Sequence, residues 1–290
     1  MSKPTILLTG ATGFLGSKIL ESLLNQNYPV VLLKRSSSDL WRIKHLIKYA
    51  KSYNIDINSL KQAFIDQQID SVIHTAVQYD HNGQLIQRIA ESNLMFALKI
   101  LDTCLKFKTK TFFNIDTILH KNLNDYTLSK KQFVEWLKLK STQIQIVNLK
   151  IDMMYGPKDD TNKLIPWVIS ELRKDVPEIK LTKGNQKRDF IYIDDVVAAC
   201  MTILKKAPFS QNFNQFDIGS GQLIKVKTFL ELLKKTYETN IGVVKTKLDF
   251  GALPYREREK MATEVNNNAL IDLGWSPKTN LKTGLNNILK

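Results

Sequence analysis

The sequence predicts an α/β fold built on a parallel, doubly wound sheet. A short apolar run, Thr5–Thr9, ends at a glycine-rich turn, and the segment after that turn, Phe14–Leu24, has helical apolar spacing. Apolar runs then alternate with helical segments through the first half of the chain. Because parallel strands need crossover helices, this alternation predicts a parallel sheet whose strand ends meet at one edge.

The other elements of the first half follow in chain order. Short apolar runs predict further strands at Val30–Leu33, Ser52–Ile55, Ser71–His74, Thr111–Ile115 and Ile144–Leu149. Helical spacing predicts helices between them, among which are Ile86–Phe107 and Leu128–Leu139.

Proline residues punctuate shorter elements from about residue 155 onward. We therefore expect a first domain over residues 1–155 and a smaller C-terminal α/β lobe over residues 156–290. The pattern of Phe190–Cys200 is that of a strand followed by a helix, so the chain is expected to rejoin the first domain at about residues 188–205.

The composition suits a chain that buries a full core, with 43% hydrophobic residues among 290 and a formal net charge of +14. The lysines are scattered and form no basic block, so nucleic-acid binding is disfavoured and a small ligand with phosphates fits better. No apolar stretch is long enough for a membrane span, and no signal-peptide pattern is present. With Cys104 and Cys200 suited to buried free thiols, we expect a soluble, cytoplasmic protein.

Three glycines, Gly10, Gly13 and Gly16, stand between the first strand and the first helix. Glycines in that place let the backbone approach a pyrophosphate, and the helix N-terminus faces its negative charge. The spacing therefore predicts a dinucleotide cofactor.

The end of the second strand indicates which dinucleotide is bound. Enzymes that use NAD carry an acidic residue there, whereas this chain reads Lys34-Arg35-Ser36. An arginine can hold the oxygens of a 2′-phosphate bidentately, so NADP(H) is favoured over NAD.

Tyr126 and Lys130 are four positions apart on a predicted helix, so both side chains project from one face. A nearby ammonium favours tyrosinate, and the pair is therefore expected to lower the pKa of the Tyr126 phenol from about 10. A tyrosine tuned in this way suits a proton donor at neutral pH.

Several motifs in chain order resemble the extended short-chain dehydrogenase/reductase family, the group of nucleotide-sugar epimerases, dehydratases and reductases. Besides Thr9–Gly16 and the Tyr126/Lys130 pair, they are Leu149–Pro157, Lys163–Trp167, Lys187–Val196, Ile218–Gly221 and Leu273–Lys278. The resemblance covers nearly the whole chain and implies a Rossmann-type sheet with a smaller C-terminal lobe that binds the substrate.

The same resemblance implies catalytic roles. Tyr126 would be the general acid, Lys130 would tune it and hold the nicotinamide ribose, and Thr117 would hydrogen-bond the reacting oxygen. Only nine positions separate Thr117 from Tyr126, so a tight link ending in Asn124 or Asp125 as helix cap must join them. Asp116 is therefore a rival for the Thr117 role.

The resemblance also implies residues that contact the two ligands. For the cofactor, besides the glycines, the Lys34–Ser36 segment and the Tyr126/Lys130 pair, they are Thr12, Phe14, Leu15, Asp56, Ile57, Thr75, Ala76, Val77 and Asn93. For the substrate, they are Tyr79, Asp116, Thr117, Met153, Lys163, Arg188 and Arg256. The two arginines match positions that clamp a nucleotide diphosphate.

Three segments, Asn114–Thr117, Ser129–Phe133 and Asp249–Ala252, are similar to reductases of CDP-linked 4-keto-dideoxysugars, with dTDP-linked 4-keto sugars left open. This implies a homodimer that uses NADPH to reduce a nucleotide-linked 4-keto-6-deoxy or 3,6-dideoxy hexose for surface-polysaccharide (O-antigen) synthesis. Dehydration is disfavoured because Ile118-Leu119 stand where dehydratases of the family carry an acidic pair. Met153 replaces the usual Asn before Tyr-Gly-Pro, which removes a polar contact to the substrate phosphates.

Two rival functions remain open. An epimerase with tightly held NAD would gain nothing from the Lys34-Arg35 pair. A non-catalytic, NADP-sensing or nucleic-acid-binding relative would not need both Tyr126 and Lys130. No metal is expected, because His45, His81 and His120 lack the spacing of metal ligands.

Overall fold

A computed structural model describes residues 3–79 and 85–290 of the chain. Its strands are β1 (Ile6–Thr9), β2 (Val30–Lys34), β3 (Lys51–Asn54), β4 (Ser71–His74), β5 (Thr111–Thr117), β6 (Gln145–Ile151), β7 (Met153–Tyr155), β8 (Glu178–Leu181), β9 (Lys187–Tyr192), β10 (Phe213–Ile218), β11 (Leu223–Lys225) and β12 (Lys247–Phe250). Its α-helices are α1 (Phe14–Asn25), α2 (Leu60–Asp66), α3 (Ile86–Ala90), α4 (Phe96–Lys106), α5 (Asp125–Lys140), α6 (Leu164–Arg173), α7 (Ile193–Lys206), α8 (Val226–Asn240), α9 (Asn268–Asp272) and α10 (Leu281–Leu289).

Seven parallel strands form the central sheet, in the order β10-β6-β5-β4-β1-β2-β3. From β1 the chain proceeds outward to β2 and β3, then returns to β4 on the other side and continues outward to β5 and β6. The strand order therefore reverses between β1 and β4, the place where open parallel sheets bind ligands beyond the carboxyl ends of their strands. The predicted doubly wound α/β fold is confirmed.

Helices cover both faces of this sheet, as the side-chain alternation of its strands requires. In β1, Ile6 and Leu8 pack in a core shared with α1 and α7, whereas Leu7 packs in a second core with α2, α4 and α5. Burying one such leucine or isoleucine contributes about 1.5–3 kcal/mol. The two cores fix α1 and α5 against the sheet edge where the candidate site lies.

The second half of the chain builds two smaller sheets and also returns to the first. Strands β11, β9 and β7 form one small sheet, and β12 pairs with β8 in another. Helix α7, within the segment expected to rejoin the first domain, packs against α1, and β10 at residues 213–218 adds a strand to the central sheet. The chain thus returns over a longer stretch than 188–205, while the division at residue 155 stays a prediction.

The predicted single helix Ile86–Phe107 is interrupted. Its middle, Glu91–Met95, winds as a π-helix between α3 and α4. The wider turn brings Asn93 inward, where its side chain is buried and hydrogen-bonded. Apolar periodicity could not predict this, because a π-helical turn around one buried polar side chain leaves no signal in the spacing of apolar residues.

The structure also describes the two cysteines and the helices that were considered as membrane spans. Cys104 and Cys200 are buried free thiols, as expected. Within residues 3–79 and 85–290, none of the helices is long and apolar enough to cross a lipid bilayer.

His74 ends β4 in the core and is fully buried. Its Nδ1 lies 2.9 Å from the hydroxyl oxygen of Thr9, and the rings of Phe96, Phe112 and Phe133 surround it at centroid distances of 5.9–6.1 Å. Burial lowers the pKa of this imidazole to about 3, with a smaller contribution from the charge of Lys130. His74 is therefore a neutral packing residue at the end of its strand.

We expect His74 to make the fold acid-sensitive. The unfolded chain binds a proton on this residue near pH 6.5 but the folded chain only near pH 3, so stability falls as the pH drops between those values. The loss is about 1.4 kcal/mol per pH unit. Chemical unfolding at pH 7.5 and pH 5.0 should show a loss about 2 kcal/mol smaller in His74→Asn than in the wild type. An equal loss in both proteins would contradict this role.

Candidate active site

The glycine-rich turn after β1 has the geometry of a phosphate cradle. Gly10 adopts a φ of +69°, and a Cβ on it would lie 2.6 Å from the Ala76 nitrogen. A Cβ on Gly16 would lie 2.1 Å from the Gly10 carbonyl oxygen. Helix α1 then begins at Phe14 with no side-chain cap at Gly13, so its first N–H groups face the sheet edge. Backbone and helix dipole both favour an anion there.

The loop after β4 lies against this turn. The Thr75 hydroxyl donates to the Thr9 carbonyl at 2.7 Å, and the Ala76 amide donates to the Thr9 hydroxyl at 3.3 Å. Thr75 and Ala76 therefore lie beside the glycines, with Val77 next along the same loop, and their contact with a cofactor stays a prediction.

Asn93 fixes the same loop from behind. Its side-chain oxygen accepts from the Gln78 amide at 2.7 Å, and its nitrogen donates to the Gln78 carbonyl at 2.9 Å and to the Ser129 hydroxyl at 3.0 Å. Both polar atoms of the Asn93 side chain are thus hydrogen-bonded within the protein. The structure gives Asn93 a position that supports the cofactor loop and links it to α5.

The carboxyl ends of β2 and β3 bring the expected adenosine residues together. Lys34 donates to the side chain of Asn54 at 2.5 Å, and Arg35 is exposed, with no hydrogen bond from its guanidinium to any described residue. The carboxylate of Asp56 accepts from the Ser36 amide at 2.9 Å and from its hydroxyl at 2.5 Å, and these bonds lower the pKa of Asp56. Ile57 is exposed next to them.

Asp56 brings to this edge a carboxylate that sequence reasoning placed near the adenine. The residues directly after β2, Arg35–Ser38, include no acidic side chain, but packing of β3 alongside β2 carries Asp56 to Ser36. Asp56 lies next to Ser36 because β2 and β3 pair, and no local sequence pattern reveals that pairing.

The candidate catalytic residues meet at the carboxyl end of β5. Thr117 is the last residue of this strand, and Tyr126 lies in the first turn of α5. Asn124 is the helix cap. Its side-chain oxygen accepts from the main-chain amide of Thr127 at 2.9 Å, and its own main-chain amide donates to the Thr127 hydroxyl at 3.1 Å. The Thr117 side chain lies next to the Tyr126 phenol and acts to lower its pKa. A proton donor and a second hydroxyl therefore face the same point.

The expected lowering of the Tyr126 pKa is wrong for this structure. Burial raises the pKa of Tyr126 well above its ordinary value, Tyr79 and Asp116 raise it further, and the Thr117 hydrogen bond opposes them. Burial also lowers the pKa of Lys130 to about 8, helped by Lys131 and opposed by Asp116. Removal from water has the largest effect on the Tyr126 pKa, and the spacing of Tyr126 and Lys130 could not indicate it.

Lys130 is buried, yet its ammonium donates to no side chain or carbonyl within residues 3–79 and 85–290. An unpaired ammonium in such a place is costly unless a ligand supplies acceptors. A ribose with two hydroxyls has that chemistry, so the Lys130 ammonium and the glycine cradle both fit a dinucleotide.

A cluster of aromatic rings closes the site on its other side. The rings of Tyr79 and Tyr126 lie 5.1 Å apart, and the Lys163 ammonium lies 4.9 Å from the Tyr79 ring and 5.4 Å from the Phe14 ring. Lys163 also pairs with Asp159 at 2.9 Å. The structure thus brings Tyr79 and Lys163, both expected near the substrate, to within reach of Tyr126.

Met153 begins β7, in register with Phe190 of β9, and is partly exposed. It has a thioether at the position where the resemblance implies an asparagine, and it packs against the hydrophobic core.

The expected phosphate clamp is arranged differently from the prediction. Arg188 is buried, forms an ion pair with Glu259, and donates to the carbonyls of Lys187 at 2.7 Å and Lys260 at 2.9 Å. Its charge is therefore already paired. Arg256 is exposed and does not line the cavity beside Arg188.

A cavity of about 260 Å³ opens next to Thr117, and basic side chains predominate among its polar groups. The residues around it are Ile118, Leu119, His120, Leu123, Lys150, Arg188, Arg258, Lys260, Ala262, Thr263 and Glu264. Arg258 and Lys260 are exposed at its rim, and Lys150 pairs with Asp217 at 3.0 Å. Sequence reasoning missed Arg258, which stands two positions after the arginine that the resemblance indicated.

Asp116 is engaged in the interior. Its carboxylate accepts from Lys131 at 2.8 Å and from Asn148 at 3.2 Å. The expected competition with Thr117 for the reacting oxygen therefore does not fit its contacts, since the Asp116 carboxylate is buried and held by Lys131 and Asn148.

Within residues 3–79 and 85–290, no group of three or more His, Cys, Asp or Glu side chains could hold a metal ion. His81 lies outside the described residues.

A model of the NAD dependent epimerase/dehydratase family matches residues 6–219. The chain belongs to this family. The match includes the glycine-rich turn, Thr117, Tyr126 and Lys130.

Relatives of known function cover the whole length of this family member. CDP-abequose synthase of Salmonella typhimurium is 30% identical over 99% of this chain and 98% of its own length. The enzyme of the same name from Salmonella muenchen is 32% identical over 98% of this chain and 96% of its own. Among solved structures, UDP-glucuronic acid 4-epimerase of Bacillus cereus, in complex with UDP-glucuronic acid and NAD, shares the fold with a TM-score of 0.85, 24% identity and 98% coverage of each chain.

Arg42 is a further residue that the sequence did not indicate in this family member. Its guanidinium donates to the Thr12 carbonyl at 3.2 Å, the Lys158 carbonyl at 3.0 Å and the Asp160 carboxylate at 2.8 Å. It ties the glycine-rich turn to the loop before α6. A lone arginine in an irregular segment carries no local signal of such a contact.

Proposed function

We propose that this protein uses NADPH to reduce a nucleotide-linked 4-keto-6-deoxy or 3,6-dideoxy hexose to the 4-hydroxy sugar. The observation that carries the proposal is the placement of the Thr117 and Tyr126 hydroxyls next to each other, at the end of β5 and the start of α5, beside the buried Lys130. The two CDP-abequose synthases, similar over their whole length, support a deoxysugar as substrate.

The side chains would supply the proton for the substrate oxygen and stabilise the charge that develops there. A dihydronicotinamide held at the glycine-rich turn would supply the hydride for the carbonyl carbon. Because the pKa of Tyr126 is raised, its phenol carries a proton at neutral pH and can donate it to the substrate oxygen as negative charge develops there. Thr117 adds a second hydrogen bond to that oxygen, and Lys130 stabilises the tyrosinate that remains.

The neighbours of Thr117 argue against dehydration. Removal of water from a hexose needs an acid and a base next to the reacting carbons, and Ile118 and Leu119 have neither. Reduction needs only a hydride, which the cofactor would supply, and a proton donor, which the Thr117–Tyr126–Lys130 set supplies.

The basic cavity beside Thr117 suits the phosphates of the substrate. With Arg188 paired to Glu259, the cations available at its rim are Arg258 and Lys260. A volume of about 260 Å³ is too small for a whole nucleotide-sugar and fits a part of it. The nucleotide, CDP or dTDP, would extend from there.

The cofactor preference rests on two side chains at the end of β2 and β3. The exposed Arg35 guanidinium supports a 2′-phosphate. The Asp56 carboxylate next to Ser36 is the observation that favours NAD, because a carboxylate can accept from a ribose 2′-hydroxyl. NAD would suit the second candidate function, an epimerase that recycles its hydride.

The rest of the proposal concerns assembly and location. Met95 is 50% exposed and Trp136 and Leu139 are 44% and 65% exposed, on segments that pack against each other. Apolar groups of this size support pairing of two copies into a homodimer. Free buried cysteines support a reducing cytoplasm, where precursors for surface polysaccharide would be made.

Absorbance of NADPH and NADH tests the reaction, with a panel of CDP- and dTDP-linked 4-keto sugars as substrates. We expect stoichiometric oxidation of NADPH with at least one of them. Tyr126→Phe should lower kcat by about 10²–10⁴-fold, because it removes the proton donor, while the Kd for NADPH stays within about threefold. Interconversion of sugars with no net oxidation would favour the epimerase, and cofactor binding with no turnover of any sugar would favour the non-catalytic relative.

Arg258→Ala should raise KM for the nucleotide-sugar by about 10–100-fold, since a charge-assisted contact to phosphate is lost. Arg256→Ala is the matched control, because Arg256 is exposed and away from the cavity, and its KM should stay within about twofold of the wild type. Steady-state kinetics at saturating NADPH measure both values. The reverse order of effects would locate the clamp at Arg256.

Arg35→Ala should raise the Kd for NADPH by about tenfold and leave that for NADH unchanged, because only NADPH carries the 2′-phosphate. Asp56→Ala should leave the preference for NADPH intact. Fluorescence titration of each variant measures the constants. A wild type that binds NADH more tightly, and loses that binding in Asp56→Ala, would replace NADPH by NADH in the proposal.

A further inference from the structure

Asp116 is the penultimate residue of β5, and its side chain is 1% exposed. One carboxylate oxygen accepts from the Lys131 ammonium at 2.8 Å and from the Asn148 amide at 3.2 Å. The other finds no hydrogen-bond partner within residues 3–79 and 85–290. Burying a carboxylate in this way is unfavourable unless a cation stays beside it, so Asp116 depends on Lys131.

Lys131 makes a second contact that points to a role at the site. Its ammonium also donates to the main-chain carbonyl of Thr117, and its side chain is 19% exposed. One cation therefore joins α5 to the last two residues of β5. Lys130 and Lys131 are adjacent on the helix but differ in their contacts, since Lys130 donates to no described residue.

By holding the main-chain carbonyl of Thr117, Lys131 also helps to fix the position of the Thr117 hydroxyl. That hydroxyl accepts from the Leu119 amide at 3.1 Å, so its hydrogen stays available for a group at the site. With the carbonyl of Thr117 held by Lys131 and the hydroxyl held by Leu119, the residue is fixed on two sides. Catalytic groups need such support, because a displacement of about 1 Å can cost 10²-fold in rate.

We propose that Lys131 is a positioning residue, which holds the end of β5 against α5 so that Thr117 faces Tyr126. This inference rests on the proposed reduction for its kinetic test. Lys131 acts through Asp116 and Thr117 and touches neither ligand.

The charges around the site give the proposal a distinctive signature. Asp116 raises the pKa values of Tyr126 and Lys130, whereas Lys131 lowers that of Lys130. The other titratable groups that face this pair are Tyr79, from the loop after β4, and His74, from β4 itself. Loss of the Lys131 charge should therefore raise the pKa of Lys130 above about 8, and loss of the Asp116 charge should lower it.

Kinetics of three variants test the role. Lys131→Met should lower kcat by about 30–100-fold while the Kd for NADPH stays within about threefold, and Lys131→Arg should recover at least about tenfold of the loss. Lys138→Met, two turns further along the exposed face of α5, is the matched control and should match the wild type. A kcat for Lys131→Met within about twofold of the wild type would overturn the proposal.

The dependence of kcat on pH separates positioning from loss of stability. The alkaline limb should move upward in Lys131→Met and downward in Asp116→Asn, relative to the wild type. A general loss of folded protein would lower the whole curve without moving its limbs, and that result would also overturn the proposal.

Hydrogen exchange gives a readout that does not depend on any sugar. In Lys131→Met, the amides of residues 114–123 should exchange at least about tenfold faster than in the wild type or in Lys138→Met, with melting temperatures recorded alongside. Failure of the proposed reduction would show as a wild type that turns over no 4-keto sugar. Unchanged exchange over residues 114–123 would instead show that Lys131 does not hold the strand end.

Discussion

The capping box of Asn124 and Thr127, with reciprocal hydrogen bonds of 2.9 and 3.1 Å, determines where α5 begins. Because the helix starts at Asp125, Tyr126 lies in its first turn beside the end of β5, and Lys130 lies one turn further along. The nine positions from Thr117 to Tyr126 allow little variation in this arrangement. A different cap would move the phenol along the helix axis and away from its hydroxyl partner.

Electrostatics at the site are governed first by burial and only then by neighbouring charges. Removal from water raises the pKa of Tyr126 and lowers that of Lys130, so both groups tend toward their neutral forms. The net charge of +14 has little direct part in this, because most lysines are on the outside. A ligand that brings its own charges and hydroxyls would change the balance more than any distant lysine could.

Local spacing was enough to predict the glycine-rich turn, the strand–helix alternation and the Tyr126/Lys130 pair, since each depends on neighbours along one element. Contacts between distant segments could not be read in this way. The Arg188–Glu259 pair joins residues 71 positions apart, and Asp56 reaches Ser36 only because β3 lies next to β2. The same limit explains why the sequence indicated a lowered pKa for Tyr126, since spacing reveals a nearby ammonium but not the loss of water.

The direction in which Asn93 points depends on the number of residues in the π-helical turn Glu91–Met95. Each residue of an α-helix advances by about 100° around the axis. Losing one residue from this turn would rotate Asn93 away from Gln78 and Ser129, which it now joins. Exchanges of side chain at the exposed positions of the segment leave that geometry alone. Insertions and deletions here are therefore under a stricter constraint than substitutions.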